Sequence, residues 1–218
     1  MIKDQIPQFQ QAIGAYSAKL VAVSKTKPIE DLQSAYEAGQ RLFGENKVQE
    51  LVEKEAALPK DIEWHMIGHL QTNKVKYIAP FVSLIHAVDS PKLFKEIQKQ
   101  GKKIGRVIPV LLQVHIAQET QKFGFEHATV ESFLENVPDE ERSFVAIKGF
   151  MGMATYTPDQ EQIATEFRSL RELATSMRTK FGFVGNELSM GMSGDYRIAL
   201  EYGSTLVRIG SAIFGSRS

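Results

Sequence analysis

The feature that most limits how this chain can fold is an alternation. Short apolar runs at 20–23, 42–44, 63–67, 82–88, 107–114, 144–150, 183–189 and 206–209 read as eight strands. Between them lie segments with helical spacing of apolar residues, at 29–38, 47–57, 72–79, 92–100, 128–136, 157–177, 195–202 and 211–214. Asn46 is placed to cap the second of these, Gly101 to end the fourth. Another helical stretch, 2–19, interrupted or started near Pro7, precedes the first strand, with Phe9, Ile13 and Tyr16 at helical spacing. A strand, a helical crossover and the next strand form a parallel unit. Eight units in succession predict an α/β fold, a closed (β/α)8 TIM-type barrel with an extra N-terminal helix; an open doubly wound sheet is the alternative. At 218 residues the barrel takes the whole chain, 1–218, as a single domain.

Charge and composition narrow the function. Lys+Arg and Asp+Glu are both 26, and a chain without net charge is a poor candidate for nucleic-acid binding. The absence of cysteine excludes disulfides and thiolate metal sites and fits a reducing, cytoplasmic setting. The N-terminus lacks a signal-peptide apolar region, and no run approaches the roughly 18 residues that span a bilayer.

A barrel places its active groups where strands end, on the C-terminal rim. Lys25 follows the first run in Leu-Val-Ala-Val-Ser-Lys-Thr-Lys-Pro at 20–28, where Pro28 prevents the strand from continuing. Such an amine can be held rigidly and made nucleophilic by partial desolvation, although this stretch alone fits an ordinary solvated lysine better. Asn46 follows the second run. His65 and His69 lie at the third, His86 and Asp89 at the fourth, and His115 at the fifth. The spacing of His65 and His69 suits a zinc helix, but the segment reads as a strand, so hydrogen-bonded barrel histidines are the better reading and no metal site is expected. The segments around Ser189 and Arg208 each combine a glycine with small hydroxyl residues: Leu-Ser-Met-Gly-Met-Ser at 188–193 and Val-Arg-Ile-Gly-Ser-Ala at 207–212. Glycine admits a close-lying anion, and hydroxyls and free amides at a helix start bind it. Barrels frequently hold phosphate after strands seven and eight, with a short extra helix like 211–214. An amine after strand one and a phosphate cradle across the mouth describe a pocket for pyridoxal 5′-phosphate (PLP).

The motifs also resemble a known family. Ala-Val-Ser-Lys-Thr-Lys-Pro at 22–28, Phe-Gly-Glu-Asn at 43–46, Trp-His-Met-Ile-Gly-His-Leu-Gln-Thr-Asn-Lys at 64–74, His-Ala-Val-Asp-Ser at 86–90, Gly-Phe-Met at 149–151, Leu-Ser-Met-Gly-Met-Ser-Gly-Asp-Tyr at 188–196 and Gly-Ser-Thr-Leu-Val-Arg-Ile-Gly-Ser-Ala-Ile-Phe-Gly at 203–215 are similar to those of the YggS/PROSC family of PLP homeostasis proteins. His115 and Phe150 depart from that family's pattern, which has Asn and Leu there. The resemblance implies a fold-type III PLP barrel like the N-terminal domain of alanine racemase. It implies that Lys25 carries PLP as a Schiff base, that Ser189, Gly210 and Ser211 hold the phosphate, that Arg208 faces the pyridine nitrogen and that Asn46 lies near the ring.

Arginine stays charged and donates hydrogen bonds, so it disfavours a protonated ring nitrogen and weakens the ring as an electron sink. Family racemases offset this with strong bases, one of them a tyrosine from a second domain that this chain is too short to contain. The expectation is therefore a cytoplasmic monomer that binds PLP in vitamin B6 and amino-acid homeostasis, without a complete catalytic apparatus, and that has PLP-dependent apoenzymes as possible recipients. The alternatives are a PLP-dependent amino-acid racemase, with Tyr156, His65 or Lys27 as base, and a cofactor-free Schiff-base aldolase on Lys25.

Overall fold

The computed structural model describes residues 1–118 and 123–215. Eight parallel strands close into one barrel in chain order: β1 (Lys19–Val23), β2 (Leu42–Glu45), β3 (Glu63–Met66), β4 (Leu84–Val88), β5 (Ile108–Gln113), β6 (Val145–Met151), β7 (Glu187–Met192) and β8 (Leu206–Ile209). β8 closes on β1 with Lys19 opposite Leu206 and Val21 opposite Arg208. The helices are α1 (Ile2–Gly14), α2 (Ile29–Glu37), α3 (Val48–Ala57), α4 (Val75–Ile78), α5 (Pro91–Ile104), α6 (His127–Asn136), α7 (Gln160–Lys180), α8 (Tyr196–Glu201) and α9 (Ser211–Phe214). Alternation along each strand divides the core in two. Leu20, Ala22, Phe43, Trp64, Ile85 and Val207 join the helices in the outer layer. Val21, Leu84, Leu111, Met151 and Leu206 pack together in the barrel interior.

Several local expectations are corrected. Pro7 does not interrupt α1, which runs from Ile2; its buried face is Ile6 and Ile13, and Tyr16 lies beyond the helix and is exposed. Asn46 does not cap α3: the residue before the first helical turn is Lys47, in an extended conformation, and no side chain caps the helix. Gly101 does not end α5. The helix continues one turn to Gly105, a left-handed residue at φ 65° that suits glycine. Gly101 is instead the point where α5 touches the sheet: a Cβ there would lie 2.7 Å from the Arg106 carbonyl and 2.8 Å from that of Phe144. β7 runs to Met192, so Ser189 sits within the strand and not at its end. At the start of β7, Gly149 is held at φ 144° and a Cβ there would overlap the Glu187 carbonyl, so β6 can pass β7 in this register only because residue 149 is glycine.

Candidate functional site

The Lys25 turn is built from β1 outward. The ladder extends one residue past the strand, Ser24 N donating to the Gly44 carbonyl at 3.1 Å. Ser24 is fully buried, Lys25 half-buried, and Thr26 takes a left-handed φ of 63° that is uncommon outside glycine, asparagine and aspartate. Pro28 then starts α2. Behind this turn lies a buried charged group that the sequence reading missed. Glu45 Oε1 accepts from Ser24 Oγ at 2.5 Å and from Lys54 Nζ at 2.8 Å. Lys54 Nζ also donates to the Ser24 carbonyl at 2.7 Å and to Glu50 Oε1 at 2.6 Å, and Glu50 Oε1 accepts from Thr26 N at 2.5 Å. Burial raises the Glu45 pKa against the opposing pull of Lys54 and Ser24. Asn46 follows directly and is packed under the next loop: a Cβ on Gly68 would sit 2.5 Å from the Asn46 carbonyl.

Inside the barrel runs a polar chain from β3, β4, β7 and β8. Arg208 Nη1 donates to Ser189 Oγ at 2.5 Å, and Nη2 donates to the Gly152 carbonyl at 3.1 Å. Ser189 Oγ meets His86 Nδ1 at 2.8 Å, and His86 Nε2 meets His65 Nδ1 at 2.9 Å. All four side chains are buried. Burial, with a smaller contribution from Lys19, drives His65 down to about 3; burial, His65 and Arg208 hold His86 well below its ordinary value. Both imidazoles are therefore neutral. Burial lowers Arg208 to about 10, Asp195 opposing, so the guanidinium remains charged although both of its hydrogen-bond partners are neutral.

At the rim, Gly210 lies against β1: a Cβ there would be 3.1 Å from the Val23 carbonyl. The Gly210 amide points to Ser193 Oγ at 3.4 Å, and Ser211 opens α9, whose first amides have no intrahelical acceptor. β7 reaches this corner through Gly191 at φ 91°, and Asp195 Oδ1 fixes the end of the strand by accepting from Met192 N at 2.5 Å. Two expectations change. Barrel closure puts the glycine-hydroxyl corner beside the lysine turn, because β8 and β1 are neighbours; the two do not face each other across the mouth. Ser193 is the hydroxyl next to Gly210, whereas Ser189 lies four residues earlier in β7, against Arg208. The segment 188–193 carried that signal, but a strand ended three residues too early hid which of its two serines lies next to Gly210.

His69 is outside the interior chain: it pairs with Asp89 at 2.9 Å and stacks on Phe123 at 4.1 Å. His115 contacts Glu126 at 3.2 Å. Among the described residues no three His, Cys, Asp or Glu side chains form a metal site, and no helix is long and apolar enough to cross a membrane. A cavity of about 830 Å³ lies elsewhere, in a groove between α5 and α6 lined by Pro91, Lys95, Phe125, Thr129 and Phe133. It contains neither the lysine nor the buried guanidinium and is not the candidate site.

Comparison with known proteins agrees with this fold. Residues 1–218 match the family model of the alanine racemase N-terminal domain, which sets the class of barrel. The pyridoxal phosphate homeostasis protein of Aquifex aeolicus is 41% identical over 205 residues, covering 94% of this chain and 89% of that one. The protein of the same name from Bos taurus is 37% identical over 229 residues, covering 99% and 83%. The solved structure of PipY from Synechococcus elongatus with PLP bound superposes with a TM-score of 0.89 at 31% identity, over 99% of this chain and all of that one. An alanine racemase from Corynebacterium glutamicum shares the fold, with a TM-score of 0.77 at 17% identity; this chain covers 61% of it. The chain belongs to the family of pyridoxal phosphate homeostasis proteins.

Proposed function

We propose that this protein binds PLP in the mouth of the barrel, covalently through Lys25, and serves PLP homeostasis without completing a catalytic cycle of its own. The observation that carries this reading is the buried Arg208 cation, whose hydrogen-bond partners are both neutral. A buried charge is costly unless it is paired, and a ligand with an anionic group and a lone-pair ring nitrogen offsets that cost where Ser189 and Gly152 cannot. In this reading Lys25 Nζ forms a C=N bond to the cofactor's aldehyde carbon, releasing water. Ser193, Gly210 and Ser211 bind the phosphate at the rim, with Ser189 acting one layer deeper by orienting Arg208. Arg208 faces the pyridine nitrogen and keeps it unprotonated, and Asn46 flanks the ring. The cofactor supplies an electrophilic carbonyl and an electron sink. The neutral histidines keep Arg208 the sole charge of the interior chain, so the ring nitrogen is not driven to the protonated form that carbanion chemistry favours. The same reading assigns a monomer in the cytoplasm that supplies PLP-dependent apoenzymes.

Borohydride reduction of the PLP-loaded protein followed by peptide mapping tests the assignment. The pyridoxyl group is expected on Lys25, and Lys25→Ala should lose the visible absorption band. An adduct mainly on Lys27 would overturn the choice of lysine, colourless protein that cannot be loaded with PLP would overturn the cofactor, and conversion of L- to D-alanine by the pure protein would overturn the non-catalytic reading.

A further inference from the structure

We propose that Lys54, with Glu45 and Glu50, is the positioning device of the Lys25 turn: the reactive amine is set from behind the sheet by a buried ion cluster that grips the backbone on both sides of it. The three donors of one ammonium meet three acceptors, the Ser24 carbonyl at 2.7 Å, Glu45 Oε1 at 2.8 Å and Glu50 Oε1 at 2.6 Å. The Ser24 carbonyl precedes Lys25 directly. The Thr26 amide follows it directly and donates to Glu50 Oε1 at 2.5 Å. The cluster thus holds the peptide groups that flank residue 25 on both sides.

Three features separate this from ordinary packing. Lys54 is only 5% exposed, its partner Glu45 not at all, and buried ion pairs are weak contributors to stability compared with apolar residues of the same size. Their expected use is to fix one geometry, and here the geometry fixed is that of the lysine turn. Thr26 occupies a left-handed conformation without being glycine, so the turn needs an external hold, which Glu50 provides. Glu45 also ties the Ser24 side chain to the same cluster, and its second oxygen has no partner among the described residues. A carboxylate kept in that state is spent on holding Ser24 and Lys54 and not on filling the layer. Glu45 comes from the end of β2, while Glu50 and Lys54 are one turn apart on α3. The (β/α) unit next to β1 therefore positions the lysine that β1 carries.

Calling Lys25 the cofactor-bearing amine rests on the preceding reading; the grip on its turn does not, and the experiment separates them. Backbone hydrogen exchange is followed at 24–27 without added PLP in wild type, Glu50→Ala, Glu50→Gln and Lys54→Met. Glu50→Ala removes the acceptor for Thr26 N on a partly exposed helix face, and it should raise exchange at Thr26 at least tenfold while exchange in β5 and β6 is unchanged. Glu50→Gln keeps an acceptor oxygen and should restore most of the protection. When PLP is added to unloaded protein, Glu50→Ala and Lys54→Met should slow C=N formation at least fivefold and move part of the borohydride-trapped adduct from Lys25 to Lys27. Exchange at 24–27 within twofold of wild type in Glu50→Ala would overturn the proposal, whether or not Lys54→Met folds. If the wild-type chain takes up no PLP, the reading of Lys25 fails while the exchange measurement still decides the grip.

Discussion

At the scale of single residues, the interior chain of Arg208, Ser189, His86 and His65 has a consequence for stability. In the folded protein His65 titrates near 3 and His86 well below its ordinary value, while both titrate near 6.5 in the unfolded chain. Between pH 6.5 and about 3 the unfolded state holds the extra protons. The stability that the pair contributes is thus complete above pH 6.5 and is lost as the pH falls below it, by about 1.4 kcal/mol per pH unit for each histidine. Glu45 and Asp195 act in the opposite direction, since burial raises both and the folded state then holds the extra proton. The comparison that isolates the pair is His65→Leu against wild type in urea unfolding from pH 7 to pH 5. The variant should be less stable at pH 7, having left His86 Nε2 without its partner, but its stability should fall less between pH 7 and pH 5, by about 2 kcal/mol over the whole range. Parallel pH profiles would mean that His65 is charged in the folded protein.

At the scale of elements, Gly101 shows where local rules give the wrong sign. Replacing a mid-helix glycine by alanine ordinarily stabilises by about 1 kcal/mol. Here the added Cβ would meet two carbonyl oxygens at 2.7 and 2.8 Å, neither on a flexible side chain. Gly101→Ala should therefore destabilise, by about 1–3 kcal/mol, measured as the shift in urea midpoint at constant slope. The same contrast explains what could be read from the sequence. The eight strands and the barrel were legible because apolar period and turn residues are local signals, and strands β1 and β8 fall within a residue of their expected bounds. Lys25, Asn46, Arg208, Gly210 and Ser211 lie at or next to the expected strand ends for the same reason. What was not legible depended on contacts across the chain. Gly101 packs against the Arg106 and Phe144 carbonyls while Gly105 supplies the left-handed cap of α5, and Gly149 meets Glu187 at the start of β7. Lys54 looks like one more surface lysine of an amphipathic helix; only the end of β2 and the turn after β1, brought together by the pairing of these two strands, make it a buried one.

At the scale of the whole molecule, β8 is next to β1 only because the sheet closes, so the amine turn and the glycine-hydroxyl corner meet across the seam between the first and last strands. In an open sheet these strands would be far apart, and the site would exist in no partly folded form that lacks the seam. A ligand that bridges the seam therefore binds the native state alone, and binding becomes folding stability by mass action. At a PLP concentration one hundred times the dissociation constant the gain is about 2.7 kcal/mol. For a chain of this length each kcal/mol moves the thermal midpoint by about 2–4 °C, so PLP should raise it by about 5–10 °C. The size of the rise should depend on both sides of the seam. Pyridoxal, which lacks the phosphate, cannot hold the β8 corner, and PLP on Lys25→Ala cannot hold the β1 turn. Each should give a distinctly smaller rise at the same concentration, and pyridoxal on Lys25→Ala none. If pyridoxal and PLP shift the wild-type midpoint equally, the corner formed by Ser193, Gly210 and Ser211 does not bind the phosphate, and the closure of the barrel contributes the lysine turn and Arg208 alone.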